Sequence, residues 1–385
     1  VSGGQTLPAL VSSRNGSIAV LSNSCRTPVV WYSTTMGHIP KSAYVHISEK
    51  KPSFPVNKML AEYLDHYQRT APFRLDYEDL LDYQEGFPMK DDNDEDTYWD
   101  WVMYPQREWD EISRQLTRIY AYLKTPDDPL FTDHLYISRV EYCNFGNSKP
   151  FRIRVVNRFN DNHDYYYVKR ADASRVYGLE LEHVLAPNRI DFLVQGNTLI
   201  EEHIAGIPGD VYLKNRNLDE EQPKIRVAKE FVKFSERCFV KLLGDMRSYN
   251  YVIVVTQDFD MDQIRVRAID FDQQSYEGRI QIYLPQFYEE NQTMVNLIWS
   301  VLDAGTIKQY QIEERSLMAR RLKTSWARAD DLLFWMEQDT VSTPERAREL
   351  GEGLTRFHKD NDFRMFDNMG QLTRHHLTTM VMKDN

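Results

Sequence analysis

The spacing of apolar residues divides the chain into regions with different patterns. In residues 1–55, short apolar runs separated by Ser, Asn, Gly and Pro predict short strands at 18–21, 29–32 and 44–47. Beyond Val56 the apolar positions recur at helical spacing, and we expect helices at 56–67, 76–83 and 101–123. The acidic run 91–96 is typical of a solvated loop. The two prolines in 125–129 predict a domain boundary.

After this boundary the pattern first favours strands and then helices. Apolar runs predict three strands at 135–143, 151–156 and 165–169, followed by a helix at 174–185. After this helix they predict two more strands, at 190–194 and 198–204. The turn at 144–148 reads as a hairpin connection. Beyond Gly209 helical spacing dominates, at 223–243, 291–303, 306–338, 343–358 and 371–380.

These patterns predict an α+β fold class with two lobes and an extension. We expect an N-terminal α+β extension over residues 1–130, an antiparallel-sheet lobe ending in a hinge over 131–209, and a helical lobe over 210–385. The length of 385 residues is sufficient for two or three domains.

Composition narrows the range of partners. The net charge is −11 and no Lys/Arg stripe is present, so nucleic-acid binding is not expected. No apolar run approaches the length of a membrane span, so no membrane partner is expected either. The three cysteines do not suggest a disulfide framework, and no secretory signal is evident, which favours a cytoplasmic location.

The chemistry-bearing residues lie on either side of a predicted strand pair. Asp245 follows a helix, Asn250 lies five residues later, and Asp270 follows the second strand. The strand pair would bring Asn250 and Asp270 together as hard oxygen ligands for Mg²⁺. A carboxylate at Asp245 suits the orientation or deprotonation of a hydroxyl. Alternatively, Asp245 and Asn250 are only turn residues and Asp270 only caps a strand.

These segments resemble the phosphotransferase group that includes aminoglycoside phosphotransferases and choline kinases, within the protein-kinase-like fold. The segment 199–206 is similar to the hinge strand of that group, Gly244-Asp245 with Asn250 to its catalytic loop, and 269–272 to its metal-binding segment. Lys169 on the third strand is similar to the lysine that contacts phosphates. The resemblance covers about residues 130–385.

The resemblance implies roles for individual residues. Asp245 would act on the acceptor hydroxyl and Arg247 would stabilise the transferred phosphoryl group, with Asn250 and Asp270 on the metal. Lys169 would hold the nucleotide phosphates, paired with either Glu180 or Glu182. The remaining nucleotide contacts would come from the hinge, including its backbone groups, and from the turn before the second strand: Glu202, His203, Ile204 and Gly146.

The expected function is phosphoryl transfer from ATP or GTP, with Mg²⁺, to a hydroxyl of a small molecule. Three departures favour a second hypothesis, a degenerate kinase fold that binds without catalysis. Leu243 stands where the family usually has His, the 144–148 turn has a single Gly, and no Gly-x-Gly-x-x-Gly sequence occurs. An atypical protein kinase is a third possibility. The acceptor, the choice of nucleotide and the oligomeric state stay open.

His375 and His376 form a further pair of candidate metal ligands. We find no third ligand at metal spacing in the sequence, and we expect both to be solvated helix residues.

Overall fold

A computed structural model describes residues 43–47, 50–70, 75–125, 132–146, 148–215, 221–257 and 262–382. Its largest sheet has seven antiparallel strands in the order β1–β2–β3–β4–β5–β7–β6. The strands are β1 Glu85–Lys90, β2 Asp96–Met103, β3 Leu135–Cys143, β4 Phe151–Asn157, β5 His163–Arg170, β6 Phe192–Gln195 and β7 Thr198–Glu202.

The two faces of this sheet have different neighbours. Helix α2, Gln106–Lys124, covers one face, where its Leu116 and Ile119 are buried in the same core as Val168 on β5. Successive side chains of a strand point to opposite faces. The neighbours of Val168 in β5, Tyr167 and Lys169, therefore face the other side, which is turned towards the helical part of the molecule.

The helical part contains a small sheet and most of the long helices. The small sheet has the order β10–β9–β8, with β8 Ile207–Pro208, β9 Tyr251–Thr256 and β10 Gln263–Ala268. The helices are α4 Gly209–Asn215, α5 Glu221–Lys241, α6 Gln292–Val301, α7 Ala304–Thr324, α8 Trp326–Gln338, α9 Pro344–His358 and α10 Met369–Met382. Short 3-10 turns lie at Tyr77–Leu81, Ile280–Tyr283, Pro285–Phe287, Glu289–Asn291 and Asn361–Met365.

Two further helices connect the sheet to the helical part. Helix α3, Ala173–Leu185, begins directly after β5, where the Asp172 side chain accepts a hydrogen bond from the Arg175 N–H and caps the helix. Almost every side chain of α3 is buried. Helix α1, Lys58–His66, packs against α8, and its Leu60 and Leu64 are fully buried in the large core that α3 and the helical part share.

The architecture is α+β with two lobes, as the sequence predicts, and it has the arrangement of a protein-kinase-like fold. Strands β3, β4 and β5, helix α3, and strands β6 and β7 follow one another in the predicted order. A helical lobe follows them, and β1 and β2 extend the sheet at the β3 edge. The proposed division at residues 130 and 209 stays a prediction.

Some predicted elements differ from those observed. The helix predicted for 101–123 begins only at Gln106, and Trp101 lies on strand β2, whose residues alternate in exposure as they pair with β1 and β3. The helix predicted for 306–338 is two helices that meet at Ser325. Residues 44–47 form no strand, although the Val45 N–H bonds to the Phe287 carbonyl. The strands predicted at 18–21 and 29–32 lie outside the described residues.

Candidate active site

A cleft of about 380 Å³ lies between the seven-stranded sheet and the helical part. Its walls come from β5, α3, β7, the segment after β7, β9 and the residues after β10. The polar side chains that reach it include Arg152, Lys169, Arg175, Glu201, Asn250 and Asp270. Lys169, Asn250 and Asp270, which the sequence predicts to act together, therefore line one cleft.

Lys169 is held inside the cleft by a carboxylate of the neighbouring strand. Its Nζ lies 2.5 Å from Glu201 Oε2, and both side chains are more than nine-tenths buried. In the antiparallel register Lys169 is opposite Leu199 and Tyr167 is opposite Glu201, so Lys169 and Glu201 lie diagonally on the same face. The pair places an ammonium group at the back of the cleft.

Asp245 lies beside the cleft in a backbone conformation that few residues adopt. Its φ is 57°, in the left-handed region, and its N–H donates a 2.9 Å hydrogen bond to the Tyr288 hydroxyl. Gly244 precedes it in a tight space, where an added Cβ would lie 2.9 Å from Ile282 Cγ2. The left-handed backbone and the hydrogen bond to Tyr288 fix the position of Asp245 in the segment that follows α5.

Burial strongly affects the ionisation of Asp245. It raises the pKa of the carboxyl to about 7, because Arg247 only partly offsets the loss of water and Asp270 adds repulsion. Arg247 Nε lies 2.8 Å from Asp245 Oδ1, and Nη1 bonds to the Tyr249 hydroxyl at 3.0 Å. A carboxyl with a pKa near neutrality is suited to proton transfer.

Asn250 and Asp270 are brought together by the pairing of β9 with β10. Tyr251 lies opposite Ala268 in this pair, and the Ile269 N–H bonds to the Asn250 carbonyl at 3.0 Å. The Asn250 side-chain nitrogen donates to the Asp245 carbonyl at 2.7 Å, which leaves its Oδ1 as an acceptor. Asp270 Oδ1 already contacts a guanidinium group, but the Asp270 side chain is about one-third exposed, at 32%.

Arg175 on α3 connects three carboxylates at the floor of the cleft. Its Nη2 lies 2.8 Å from Asp270 Oδ1 and 2.7 Å from Asp272 Oδ1, and its Nη1 lies 3.2 Å from Glu201 Oε1. The arginine side chain is only 2% exposed. Asp270 also accepts a 3.1 Å bond from the Asp272 N–H. A guanidinium group thus lies between the two aspartates of the Asp270-Phe271-Asp272 sequence.

The predicted hinge residues line the cleft, but Gly146, the nucleotide contact predicted in the β3–β4 turn, is not among its lining residues. Glu202, His203 and Ile204 belong to the cleft wall, and His203 Nδ1 lies 3.1 Å from the Tyr167 hydroxyl. Gly146 is part of the β3–β4 turn with a φ of 83°, and among the described residues, apart from its chain neighbours, no atom lies within 4 Å of the position of a Cβ there. Ser148, a described residue of the same turn, lines the cleft.

The prediction that Glu180 or Glu182 pairs with Lys169 is corrected by the structure. Glu180 is fully buried away from Lys169, between Arg69 and Arg328, at 2.8 and 2.7 Å. Glu182 forms a buried ion pair with Lys241 of α5. Both glutamates point to the side of α3 that packs on helices, so Glu201 is the carboxylate that holds the lysine.

Sequence reasoning did not identify Glu201, Arg175 or Asp272 as site residues. Strand periodicity could have suggested Glu201, once β7 is placed beside β5. Arg175 could have been noticed as a cation near the start of a helix that is otherwise mostly apolar. Asp272 stands two residues after a predicted metal ligand, and only the three-dimensional structure shows that both aspartates share one arginine.

The two histidines near the C-terminus also differ from expectation. His376 is fully buried, where its Nε2 lies 3.0 Å from the Phe239 carbonyl. His375 lies 3.2 Å from Asp360 Oδ2, and Asp362 offers a carboxylate nearby. The expectation that both histidines are solvated is therefore wrong for His376, and the two nearby carboxylates lie beside His375 alone.

Comparison with known proteins adds little to these observations. No protein-family model and no curated protein sequence matches the chain. Among solved structures, the chain is similar to the crystal structure of a Rio2 kinase–ADP/Mg²⁺–phosphoaspartate complex from Chaetomium thermophilum. That match covers 71% of this chain and 81% of the other, at 11% identity and a TM-score of 0.32.

The order and pairing of the elements define the fold. A β3–β4–β5–α3–β6–β7 lobe followed by a helical lobe has the arrangement of a protein-kinase-like fold, and the cleft lies between the two. Among the residues that the structure describes, we find no helix with the length and apolar character of a membrane span.

Proposed function

We propose that the cleft binds ATP or GTP together with Mg²⁺ and transfers the γ-phosphoryl group to a hydroxyl of a small molecule. The observation that carries this proposal is the convergence of Lys169, Asn250 and Asp270 in a single cleft, next to Asp245. Phosphoryl transfer requires charge neutralisation and positioning more than covalent chemistry, and these side chains supply both.

The residues fit a magnesium ion. Asn250 Oδ1 and the exposed part of the Asp270 carboxylate are hard oxygen ligands, and Mg²⁺ would keep its other positions for phosphate and water. When bound, the ion would neutralise charge that develops on the phosphate oxygens. Lys169 would contribute its ammonium group to the phosphates, and the backbone of 202–204 would contact the nucleotide base.

The transfer step would proceed next to Asp245. A bond forms between the acceptor hydroxyl oxygen and the γ-phosphorus, while the bond from this phosphorus to the β–γ bridging oxygen breaks and the nucleoside diphosphate leaves. The hydroxyl proton would pass to the Asp245 carboxylate, and Arg247, whose Nε lies 2.8 Å from Asp245 Oδ1, would stabilise the transferred group. Within this fold, the Gly244-Asp245 sequence supports a relation to aminoglycoside phosphotransferases and choline kinases.

Replacement of Asp270 tests the catalytic proposal. We expect Asp270→Ala to abolish Mg²⁺-dependent nucleotide turnover, measured as release of nucleoside diphosphate, because the variant removes a charged metal ligand. Circular dichroism and the melting temperature would verify that the variant is folded. Turnover that persists in a folded Asp270→Ala protein would contradict the proposed mechanism.

A second candidate function is nucleotide binding without catalysis, and a separate observation favours it. Arg175 engages the carboxylates of both Asp270 and Asp272, so the potential metal ligands are partly occupied by a protein cation. A degenerate cleft of this kind would bind nucleotide and turn over none. Nucleotide-dependent stabilisation without any detectable turnover in the wild-type protein would favour this candidate.

A further inference from the structure

The charges around Arg175 are nearly balanced within the protein itself. Five ionisable side chains form one connected group, two of them cationic and three carboxylic: Lys169, Arg175, Glu201, Asp270 and Asp272. If all are ionised, the group carries a net charge of −1. The cleft floor therefore has a cation already in contact with the Asp270 carboxylate that a metal ion would share.

Arg175 is a permanent member of this group. Burial alone would lower the pKa of its guanidinium, but Asp272, Glu201 and Asp270 outweigh burial and raise it. An arginine cannot release its proton in the physiological range, so its charge can be removed from the site only by movement of the side chain.

The fixed guanidinium has a consequence for divalent ions. A metal ion bound at Asp270 would lie next to a buried positive charge, where repulsion is less screened than in water. The phosphates of a nucleotide bring several negative charges and reverse this balance. A metal ion is therefore less favoured in the empty cleft than in a cleft that also holds nucleotide phosphates.

We propose that Arg175 acts as an internal counter-cation that excludes free divalent ions from the nucleotide-free cleft, so that the metal enters only together with the nucleotide. The inference rests on the proposed function, because it assigns to the nucleotide the role of admitting the metal. Arg175 is a positioning residue here: it orients the carboxylates of Asp270 and Asp272 and sets the order of binding.

The test is a titration of Mn²⁺ into nucleotide-free protein, with free Mn²⁺ measured by electron paramagnetic resonance. We expect Arg175→Gln to bind Mn²⁺ at least about tenfold more tightly than the wild type, which corresponds to about 1.4 kcal/mol. Arg175→Lys is the matched control, because it keeps the positive charge, and it should show no such gain. The Arg175→Gln/Asp270→Asn double variant should lose the gain, which locates it in the cleft.

Several results would overturn the proposal. These are an Arg175→Gln affinity equal to that of the wild type, a gain that survives Asp270→Asn, and an equal gain in Arg175→Lys. If the Arg175 variants do not fold, the Mn²⁺ titration of the nucleotide-free wild type still tests the proposal. Tight Mn²⁺ binding without nucleotide that Asp270→Asn removes would contradict the proposal, and the absence of such binding supports it. Since the titration contains no nucleotide, its result is independent of whether the protein binds or turns over ATP.

Discussion

At the scale of single residues, the unusual group is Asp245. Its left-handed backbone and the neighbouring Gly244 fix its position, and burial raises the pKa of its carboxyl to about 7. The ordinary pKa of an aspartate is 3.8. Between these two values the folded state binds more protons than the unfolded state, so the free energy of unfolding decreases as the pH rises from about 4 to 7.

Asp245→Asn should therefore stabilise the protein at pH 7.5 and above, where the wild type must keep a buried charge. We expect a gain on the order of 2–4 kcal/mol in the free energy of unfolding, which shrinks towards zero near pH 4. Urea denaturation of the wild type and the variant at several pH values measures this difference in the free energy of unfolding. An equal difference at pH 4.5 and pH 8 would show that the carboxyl does not titrate as described.

At the scale of secondary structure elements, the position of helix α3 decides the shape of the site. Its buried Glu180 contacts Arg69, in the segment after α1, and Arg328 of α8, and it accepts a 2.8 Å hydrogen bond from the Tyr63 hydroxyl of α1. The two arginines lower the pKa of Glu180 although burial opposes this. The glutamate thereby fixes α3, and with it Arg175, between α1 and α8.

Glu180→Gln should destabilise the fold, because it leaves two partly buried guanidinium groups without their carboxylate. Removal of one partner of a buried ion pair costs about 3–5 kcal/mol. The matched control is Glu62→Gln on α1, whose exposed pair with Lys58 is worth less than about 1 kcal/mol. Chemical denaturation compares the variants. A change as small as that of Glu62→Gln would show that the Glu180 contacts do not hold α3 in place.

Elements that are bounded by polar turns or by helix-capping residues could be predicted from the sequence. Strands β3, β4 and β5 are separated by polar turns, and α9 begins at Thr343-Pro344, where the Thr343 side chain caps the helix. Strand β2 could not be predicted, because its aromatic residues continue into the apolar pattern of α2. The division between α7 and α8 lies at Ser325, without a Gly or Pro to mark it.

The candidate site was predictable only in part, and for a related reason. Local spacing identifies Asp245, Asn250 and Asp270, because one strand pair connects them along the chain. The partner of Lys169 depends on which strand lies beside β5 and on which side of α3 faces the cleft. Both are decided by tertiary packing, in which Glu180 and Glu182 turn towards helices and Glu201 turns towards the lysine.

At the scale of the whole molecule, the N-terminal third takes part in both lobes. Strands β1 and β2 extend the sheet, α2 covers its outer face, and α1 packs on the helical part. Both sides of the cleft are thus supported by elements that precede β3 in the chain.

The central claim is that Lys169, Asn250 and Asp270 form a nucleotide site, and calorimetric titration with Mg-ATP and Mg-GTP tests it most directly. We expect the wild type to bind at least one of the two and Lys169→Met to bind at least about tenfold more weakly, since the loss of a phosphate contact of 1.4 kcal/mol or more has this effect. A folded wild-type protein that binds neither nucleotide, or a Lys169→Met variant with unchanged affinity, would contradict the account.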